Sequence, residues 1–388
     1  MLPASSALKW MRFSMVFIIY TLASGCASYA SPNDAACSSA SEDSTRVTTH
    51  CDNAPDSAAL DTESRIKIGL EKIKGYKRDE GQTYLTLPEW YLVYSPAEYA
   101  QYLKEKKPSG FPYFGSIGQF WGYYKDVKGV TRGKYPYNGG YHTMILVIGA
   151  SFTLENTVKG VYENTVGRVT EWTSSDAMTD EDRFAARAAQ SYVDLIRVQP
   201  WYEYSFSKQI AGLWTDTSFF GQNMIRKVER KFALSVGYSI SAVYATLIKL
   251  ATKLAYGDAD TEIMALVSDL SPGVLATVPK VNIKDKYQVP YVLVSLPRYE
   301  EFRDVVLDMV KKGVRFSEIS GNKEILVTCL VPAHWNYDLT SGKMLFERPI
   351  LTDPSQKRIA IAAPVQTLHE ILVSLMDMNV TIEHIYDY

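Results

Sequence analysis

Residues 289–319, VPYVLVSLPRYEEFRDVVLDMVKKGVRFSEI, decide how this chain folds. Val289–Leu296 is a run of β-branched and aliphatic residues, the composition of a strand. Pro297 then opens a helix on which Phe302, Val305, Val306, Met309 and Val310 share one side. Gly313 supplies the stop expected after a helix C-terminus, and Val314–Ile319 reads as a second strand. Ser320-Gly321-Asn322-Lys323 is turn chemistry leading into a further strand over Glu324–Val331. The same phrase returns at 358–386, RIAIAAPVQTLHEILVSLMDMNVTIEHIY. Here Arg358–Ala363 is the strand, Pro364 opens a helix with Leu368, Ile371, Leu372, Leu375 and Met376 inside, Asn379 stands where Gly313 stood, and Val380–Tyr386 closes the unit. Two split β-α-β units in tandem predict an antiparallel sheet with helices on one face, a ferredoxin-like domain over 287–388 with a hairpin inserted around Met344–Leu351.

Working towards the N-terminus, Asp258–Lys286 reads as a short helix and a linker carrying Pro272 and Pro279. Residues 61–270 read as a mainly helical, aromatic-rich domain, so the fold class expected for the whole chain is α+β. Its densest part is Tyr84–Tyr124, YLTLPEWYLVYSPAEYAQYLKEKKPSGFPYFGSIGQFWGYY, in a chain that is 12% aromatic. Each such ring covers roughly 150–250 Å² and has to be buried against something. Ser95-Pro96-Ala97-Glu98 has the form of a helix start, with Ser95 as cap, Pro96 at the first position and Glu98 reaching back. That predicts a helix from Pro96 to about Lys106, a second over about Gly115–Tyr124 and a loop over Gly129–Gly140. Trp90, Tyr91, Phe120 and Trp121 are either a packing surface or a groove for a sugar, a peptide or a lipid headgroup.

The segments Leu87-Pro88-Glu89-Trp90-Tyr91, Phe111-Pro112-Tyr113-Phe114, Gln119-Phe120-Trp121 and Pro200-Trp201-Tyr202-Glu203 resemble an uncharacterised group of bacterial envelope proteins. The resemblance covers most of the chain after about residue 80. It implies an envelope location, but no activity and no catalytic residue.

A long helix is expected from Thr143, apolar as far as Leu154 and then charged. Glu155, Lys159 and Glu163 fall at i, i+4 and i+8, so the lysine can bridge both carboxylates. With His142 at the mouth of the same helix they form a candidate polar site; the alternative is a solvated helix side. Thr179-Asp180-Glu181-Asp182 predicts a capped start for a helix running to about Val198. A further helix over about Gln222–Tyr256 carries Arg226, Lys227, Arg230 and Lys231 ahead of a largely apolar run, Phe232–Ile248. If the helices near 143–160 and 232–256 crossed a bilayer, Glu155, Lys159 and Glu163 would line a polar path. The apolar part of the first is about 12 residues where roughly 20 are needed, which favours two helices hidden inside protein.

Readable catalytic signatures are missing: the chain has no G-x-S-x-G, phosphate loop, G-x-G-x-x-G or H-E-x-x-H. His50, His142, His334, His369 and His384 are far apart, so no metal site and no cofactor are expected. Glu89, Glu155 and Glu203 beside aromatic rings leave open a carboxylate-based hydrolase of an envelope polymer.

The formal charge is −2 and the basic residues form no long stripe, which argues against nucleic acid as a partner. Lys9 and Arg12 precede an apolar run over Phe13–Leu22 and then Ala23-Ser24-Gly25-Cys26, so residues 1–25 read as a signal peptide or membrane anchor. The layout resembles a bacterial lipoprotein signal with Cys26 as the lipidated residue; cleavage after Ala30 and an uncleaved anchor are the alternatives. Residues 26–60, poor in anything to bury, read as a flexible tether. Within it, Cys37 and Cys51 can close a disulfide in an oxidising compartment, while Cys329 is left free. The expected protein is non-enzymatic, anchored to a membrane through its N-terminus, with its body in the periplasm or outside. It would bind or scaffold another envelope protein, a peptide or a glycan.

Overall fold

The computed structural model describes residues 62–387, apart from 74, 176, 256–260, 269–272, 288–289, 338 and 340. The leader, Cys26, the tether, Cys37 and Cys51 lie outside the described residues. The chain divides into two compact units, Met1–Tyr76 and Lys77–Tyr388. In the first, helix α1 (Thr62–Glu71) buries Ile66 and Leu70.

The second unit is α+β, helices first and sheets after. Its helical part runs α2 (Gln82–Leu85), α3 (Leu87–Tyr102), α4 (Tyr113–Thr131), α5 (Gly139–Tyr162), a π-helical turn (Glu163–Gly167), α6 (Arg168–Trp172), α7 (Asp180–Ile196), α8 (Phe206–Thr215) and α9 (Met224–Ala255). The C-terminal part runs β1 (Glu262–Ser268), β2 (Asn282–Lys286), β3 (Tyr291–Pro297), α10 (Glu300–Lys311) and β4 (Arg315–Ile319), then β5 (Glu324–Pro332), β6 (Lys343–Ile350), β7 (Asp353–Pro364), α11 (Leu368–Asp377) and β8 (Thr381–Ile385).

The repeat expected from the sequence goes deeper than the β-α-β phrase. Two antiparallel four-stranded sheets form, in the orders β2-β3-β1-β4 and β6-β7-β5-β8. In each, the crossover helix links two strands that flank the unit's first strand. Registers correspond: Glu262 faces Pro297 and Ala265 faces Val294, as Glu324 faces Pro364 and Val327 faces Ile361. Each first strand also carries a bulge at the same place, Leu266/Val267 against β4 and Thr328/Cys329 against β8. Both helices end alike. Gly313 and Asn379 have φ of 84° and 56°, and Val314 N–H and Val380 N–H bond back to Met309 O and Leu375 O. That six-to-one bond is the Schellman closure, which needs a left-handed residue before it.

One sheet was expected and two are found, because β1 and β2 occupy the stretch read as a short helix and linker. Glu262–Ser268, EIMALVS, is rich in helix formers. As the central strand between β3 and β4 it is set by tertiary pairing and not by its own propensity.

The two sheets and the helices α10 and α11 share one core, holding Ile263, Ala265 and Val267 of β1, Phe302 and Val306 of α10, Val327 and Cys329 of β5 and Leu372 of α11. The second sheet is buried on its other face as well. Leu326, Ala360 and Ala362 pack against Tyr84, Tyr91, Phe120 and Tyr123, so residues 325–327 of β5 and 359–363 of β7 are apolar on both faces. Arg358 lies at this junction. It donates to Glu98 (3.1 Å) and to Glu383 (2.8 Å), beneath the Tyr94 ring at 4.2 Å.

Three helix boundaries differ from expectation. α3 starts at Leu87 and runs through Pro96, with Ser95 buried inside it instead of capping it. Pro96 removes one backbone bond, that to the Leu92 carbonyl. Burial of Tyr91 and Tyr94 before it and of Glu98 and Ala100 after it holds the helix together. α4 extends to Thr131 and α5 begins at Gly139, leaving a shorter loop than the glycines implied. The Thr179 cap is found as expected: its hydroxyl accepts from Asp182 N–H at 3.1 Å while the Asp182 carboxylate accepts from Thr179 N–H.

Candidate functional site

α9 has the sequence MIRKVERKFALSVGYSISAVYATLIKLATKLA, and its polarity is inverted. Arg226, Lys227, Glu229, Arg230 and Lys231 are all buried. The exposed side carries Ile225, Val228, Phe232, Val236, Ile240, Val243, Leu247 and Leu250, at steps of three and four residues. Phe232 is 62% exposed and Val243 56%. A water-facing helix does the opposite. The α5–α6 segment repeats the inversion: Asn156, Glu163 and Thr170 are buried, while Leu154, Val158, Val161, Val169 and Trp172 are exposed. Both helices are long and apolar enough to cross a membrane by length and composition, yet only 22% and 6% of their most apolar windows are buried. The expectation that these two helices are hidden inside protein is therefore overturned for their outer faces. Ile145 is fully buried, whereas its neighbour Leu146 is 46% exposed.

Behind the apolar stripe lies an ionic core. Four buried acids, Glu163, Glu181, Asp182 and Glu229, meet four buried bases, Arg226, Lys227, Arg230 and Lys231, so their charges cancel. Arg226 donates to Glu171 (3.1 Å), Asp182 (3.2 Å) and Glu229 (3.0 Å), and also to the Gly167 carbonyl. Arg230 grips both oxygens of Glu163 at 2.9 and 3.0 Å. Glu181, fully enclosed, lies 3.7 Å from Lys227 and 3.5 Å from Lys231. Removing one partner of such buried pairs is costly, and the weakest point is Glu181, which is ion-paired while its carboxylate oxygens take no hydrogen bond among the described residues. The cluster pins α5–α6 and the start of α7 to α9, with the aliphatic stripe facing outward.

The expected Glu155-Lys159-Glu163 row is split. Lys159 pairs with Glu155 at 2.6 Å, both about half exposed, but Glu163 has turned inward to Arg230. Eight residues at 3.6 per turn place Glu163 about 80° round the helix from Glu155, and Glu163 then opens a π-helical turn, Glu163–Gly167, whose extra residue per turn shifts the face that follows. His142 does not join the row. It is buried at the start of α5, bonded through Nδ1 to the Tyr124 hydroxyl (3.1 Å) and stacked on Tyr137.

The candidate aromatic groove is a packed core. Tyr91 and Phe120 have no exposed surface, the Trp121 ring N–H donates to Thr153 at 2.9 Å, and Trp90 lies 3.5 Å from the His384 ring. The carboxylates considered for hydrolysis are apart and differently engaged: Glu89 accepts from the Tyr141 hydroxyl, Glu155 pairs with Lys159 and Glu203 pairs with Lys249. Burial pushes the Glu89 carboxyl up to about 7, against the pull of the Tyr141 bond and of Arg298. Burial also holds His384 well below the usual histidine range. Among the described residues no group of three or more His, Cys, Asp or Glu could hold a metal ion.

The ionic core was not assembled from sequence, although its pieces were visible. In the sequence Arg226–Lys231 stands ahead of an apolar run and Asp180–Asp182 in a capping run, and neither by itself points to the other. An acidic helix start and a basic helix start of similar charge count were the available signal for their pairing. Compared with protein-family models, with curated proteins and with solved structures, the chain gives no match.

Proposed function

We propose that this protein works at a membrane surface, with α9 and the α5–α6 segment lying in the plane of the bilayer interface and the α+β body projecting into water. The observation that carries this reading is the inverted polarity of α9, with its guanidinium groups inside and Phe232, Val236, Ile240 and Val243 outside. An unbroken exposed apolar stripe marks a surface for lipid or a partner. From Ile225 to Leu250 it is about 38 Å long at the α-helical rise. Burial of each of these half-exposed side chains contributes about 1 kcal/mol.

Lying flat accounts for the molecule better than crossing. α7 runs beside α9, joined by Asp182 to Arg226 and by Phe184 and Ala188 to Leu234 and Tyr238, and turns Arg183, Arg187 and Asp194 outward. Those groups need water at the depth where a crossing helix would need hydrocarbon. The half-exposed Glu155–Lys159 pair is also tolerable at headgroup level, whereas each charge costs about 2.5–3.5 kcal/mol at a bilayer centre. Exposed Trp172, Trp214, Phe219 and Phe220 at one end suit an interface, where amphipathic rings collect. Acylation at Cys26 in the cell envelope would add a second anchor, and two anchors together give stable attachment where a single acyl chain does not. We read the role as attachment and scaffolding, not catalysis. For the C-terminal part we infer a relation to the ferredoxin-like plan, supported by the split β-α-β crossover that each sheet contains, with one helix per sheet.

Flotation of the purified chain with lipid vesicles tests this. The wild type should rise with the vesicles, and Phe232→Asp combined with Val236→Asp should stay at the bottom with an unchanged circular dichroism spectrum. A wild type that does not float, or a double variant that floats equally well, would overturn the reading. A wild-type dimer in light scattering that becomes a monomer in the double variant would assign the stripe to a second copy instead.

A further inference from the structure

At the Leu250 end of the stripe a groove of about 480 Å³ opens between the 202–207 segment and α9. Tyr202, Phe206, Ala242 and Ala245 supply its apolar wall, and among the described residues Glu203 and Lys249 are its charged groups. Glu203 Oε2 and Lys249 Nζ lie 2.5 Å apart, and the two side chains are 37% and 42% exposed. Trp201 and Tyr244, next in the chain to the lining residues Tyr202 and Ala245, stack on each other with ring centroids 5.2 Å apart. The groove runs directly into the stripe, because Leu250 lines the one and belongs to the other.

We infer that this groove holds the headgroup of a zwitterionic phospholipid, its ammonium on Glu203 beside the aromatic rings and its phosphate on Lys249, with the acyl chains passing over Leu250 onto the stripe. A lone carboxylate and a lone ammonium at one rim match a ligand that carries one charge of each sign a few bonds apart. Exposed ion pairs of this kind contribute little to stability, so exchanging each partner for a ligand charge costs the fold almost nothing. Tyrosine faces, such as that of Tyr202 in the lining, attract alkylammonium groups in addition. An anionic headgroup satisfies Lys249 alone and leaves Glu203 facing a like charge. The inference rests on the membrane-surface reading above for the destination of the acyl chains, but the groove's charge pattern stands apart from it.

Two measurements keep the two readings distinguishable. In flotation, vesicles of equal phosphatidylethanolamine and phosphatidylglycerol should bind the chain about tenfold more tightly than phosphatidylglycerol alone. Glu203→Gln and Lys249→Gln should each bring that preference to within about twofold while binding to phosphatidylglycerol is kept. In solution, glycerophosphoethanolamine should change the tryptophan fluorescence saturably in the wild type and in neither variant, while glycerophosphoglycerol should not. Equal affinity for both vesicle types, or a preference that survives both substitutions, overturns the headgroup site and leaves the membrane reading intact. A saturable glycerophosphoethanolamine response in a chain that floats with no vesicle keeps the headgroup site and removes the membrane reading. Absence of both signals removes both.

Discussion

Arg226 and Ile225 are consecutive on α9 and face opposite ways: the guanidinium is fully enclosed and the isoleucine is 61% exposed. A substitution at each therefore reports on a different half of the architecture. Arg226→Met leaves Glu171, Asp182 and Glu229 without their shared counter-ion, which should cost about 3–5 kcal/mol. Ile225→Ser should change stability by no more than about 0.5 kcal/mol, the ordinary range for an outward side chain. Urea unfolding followed by circular dichroism measures both. A large loss at Ile225 would mean that its face is buried in the isolated chain.

The helix stops of the two β-α-β units give a matched pair. Gly313 sits at φ 84° with open space around its α-carbon, so Gly313→Ala should destabilise by about 1 kcal/mol through backbone strain alone. Asn379, at φ 56°, already bears a side chain there, and Asn379→Gly should be neutral or slightly stabilising while Asn379→Ala loses about as much as Gly313→Ala. Equal thermal midpoints for Gly313→Ala and the wild type would show that the Schellman closure is not what ends α10.

These two positions also show what the sequence could reveal. Gly313 and Asn379 are local signals, because the residue type itself answers a backbone demand, and the repeat they punctuate was visible without any structure. β1 was not visible, since in Glu262–Ser268 Glu262, Met264, Ala265 and Leu266 outweigh the β-branched Ile263 and Val267, and its conformation is imposed by β3 and β4. The Ser95-Pro96 start misled for a related reason: the signal is real, but burial of Tyr91 and Tyr94 carries the helix through it. At the candidate site, the spacing of Glu155, Lys159 and Glu163 assumed a uniform α-helix. The helix is uniform to Tyr162, but i, i+4, i+8 drifts about 80° round it, and Arg230, distant in sequence, draws Glu163 inward. Inverted polarity is a property of contacts. The charges of α9 were legible, but apart from Glu229 on α9 itself the acids they face, Glu163, Glu171, Glu181 and Asp182, lie more than 40 residues away in the chain.

Close packing of the aromatic layer gives a third test. A Cβ at Gly149 would collide with the Phe120 ring and lie 2.9 Å from Trp121 Cη2. Gly149→Ala should therefore cost about 1–3 kcal/mol despite its better helix propensity. Gly118, also helical but with nothing near its α-carbon, is the control: Gly118→Ala should stabilise by up to about 1 kcal/mol. Both are read from denaturant midpoints, and a gain at Gly149 would show that the Phe120 and Trp121 rings move aside freely.

Glu89 makes stability depend on pH in the direction opposite to most carboxylates. Its carboxyl accepts from Tyr141 of α5 and is influenced by Arg298 after β3 and by Asp387 near the C-terminus. Burial is the largest influence, and it places the folded value at about 7 against 4.5 ordinarily. Between those two values the folded chain binds more protons than the unfolded one, so this group lowers stability progressively as pH rises through that window. The penalty is absent below the unfolded value and fully developed above the folded one. Glutamine has the shape of the protonated acid and cannot ionise. Glu89→Gln should accordingly match the wild type at pH 4 and exceed its stability by about 2 kcal/mol at pH 8. Tyr141→Phe should act in the other sense, because removing the bond that favours the carboxylate raises the folded value further and deepens the loss at pH 8. Urea midpoints collected from pH 4 to pH 8 for the three proteins decide the matter. A Glu89→Gln advantage that is the same at both ends of that range would mean that the side chain does not titrate there, and that Arg298 holds it ionised throughout.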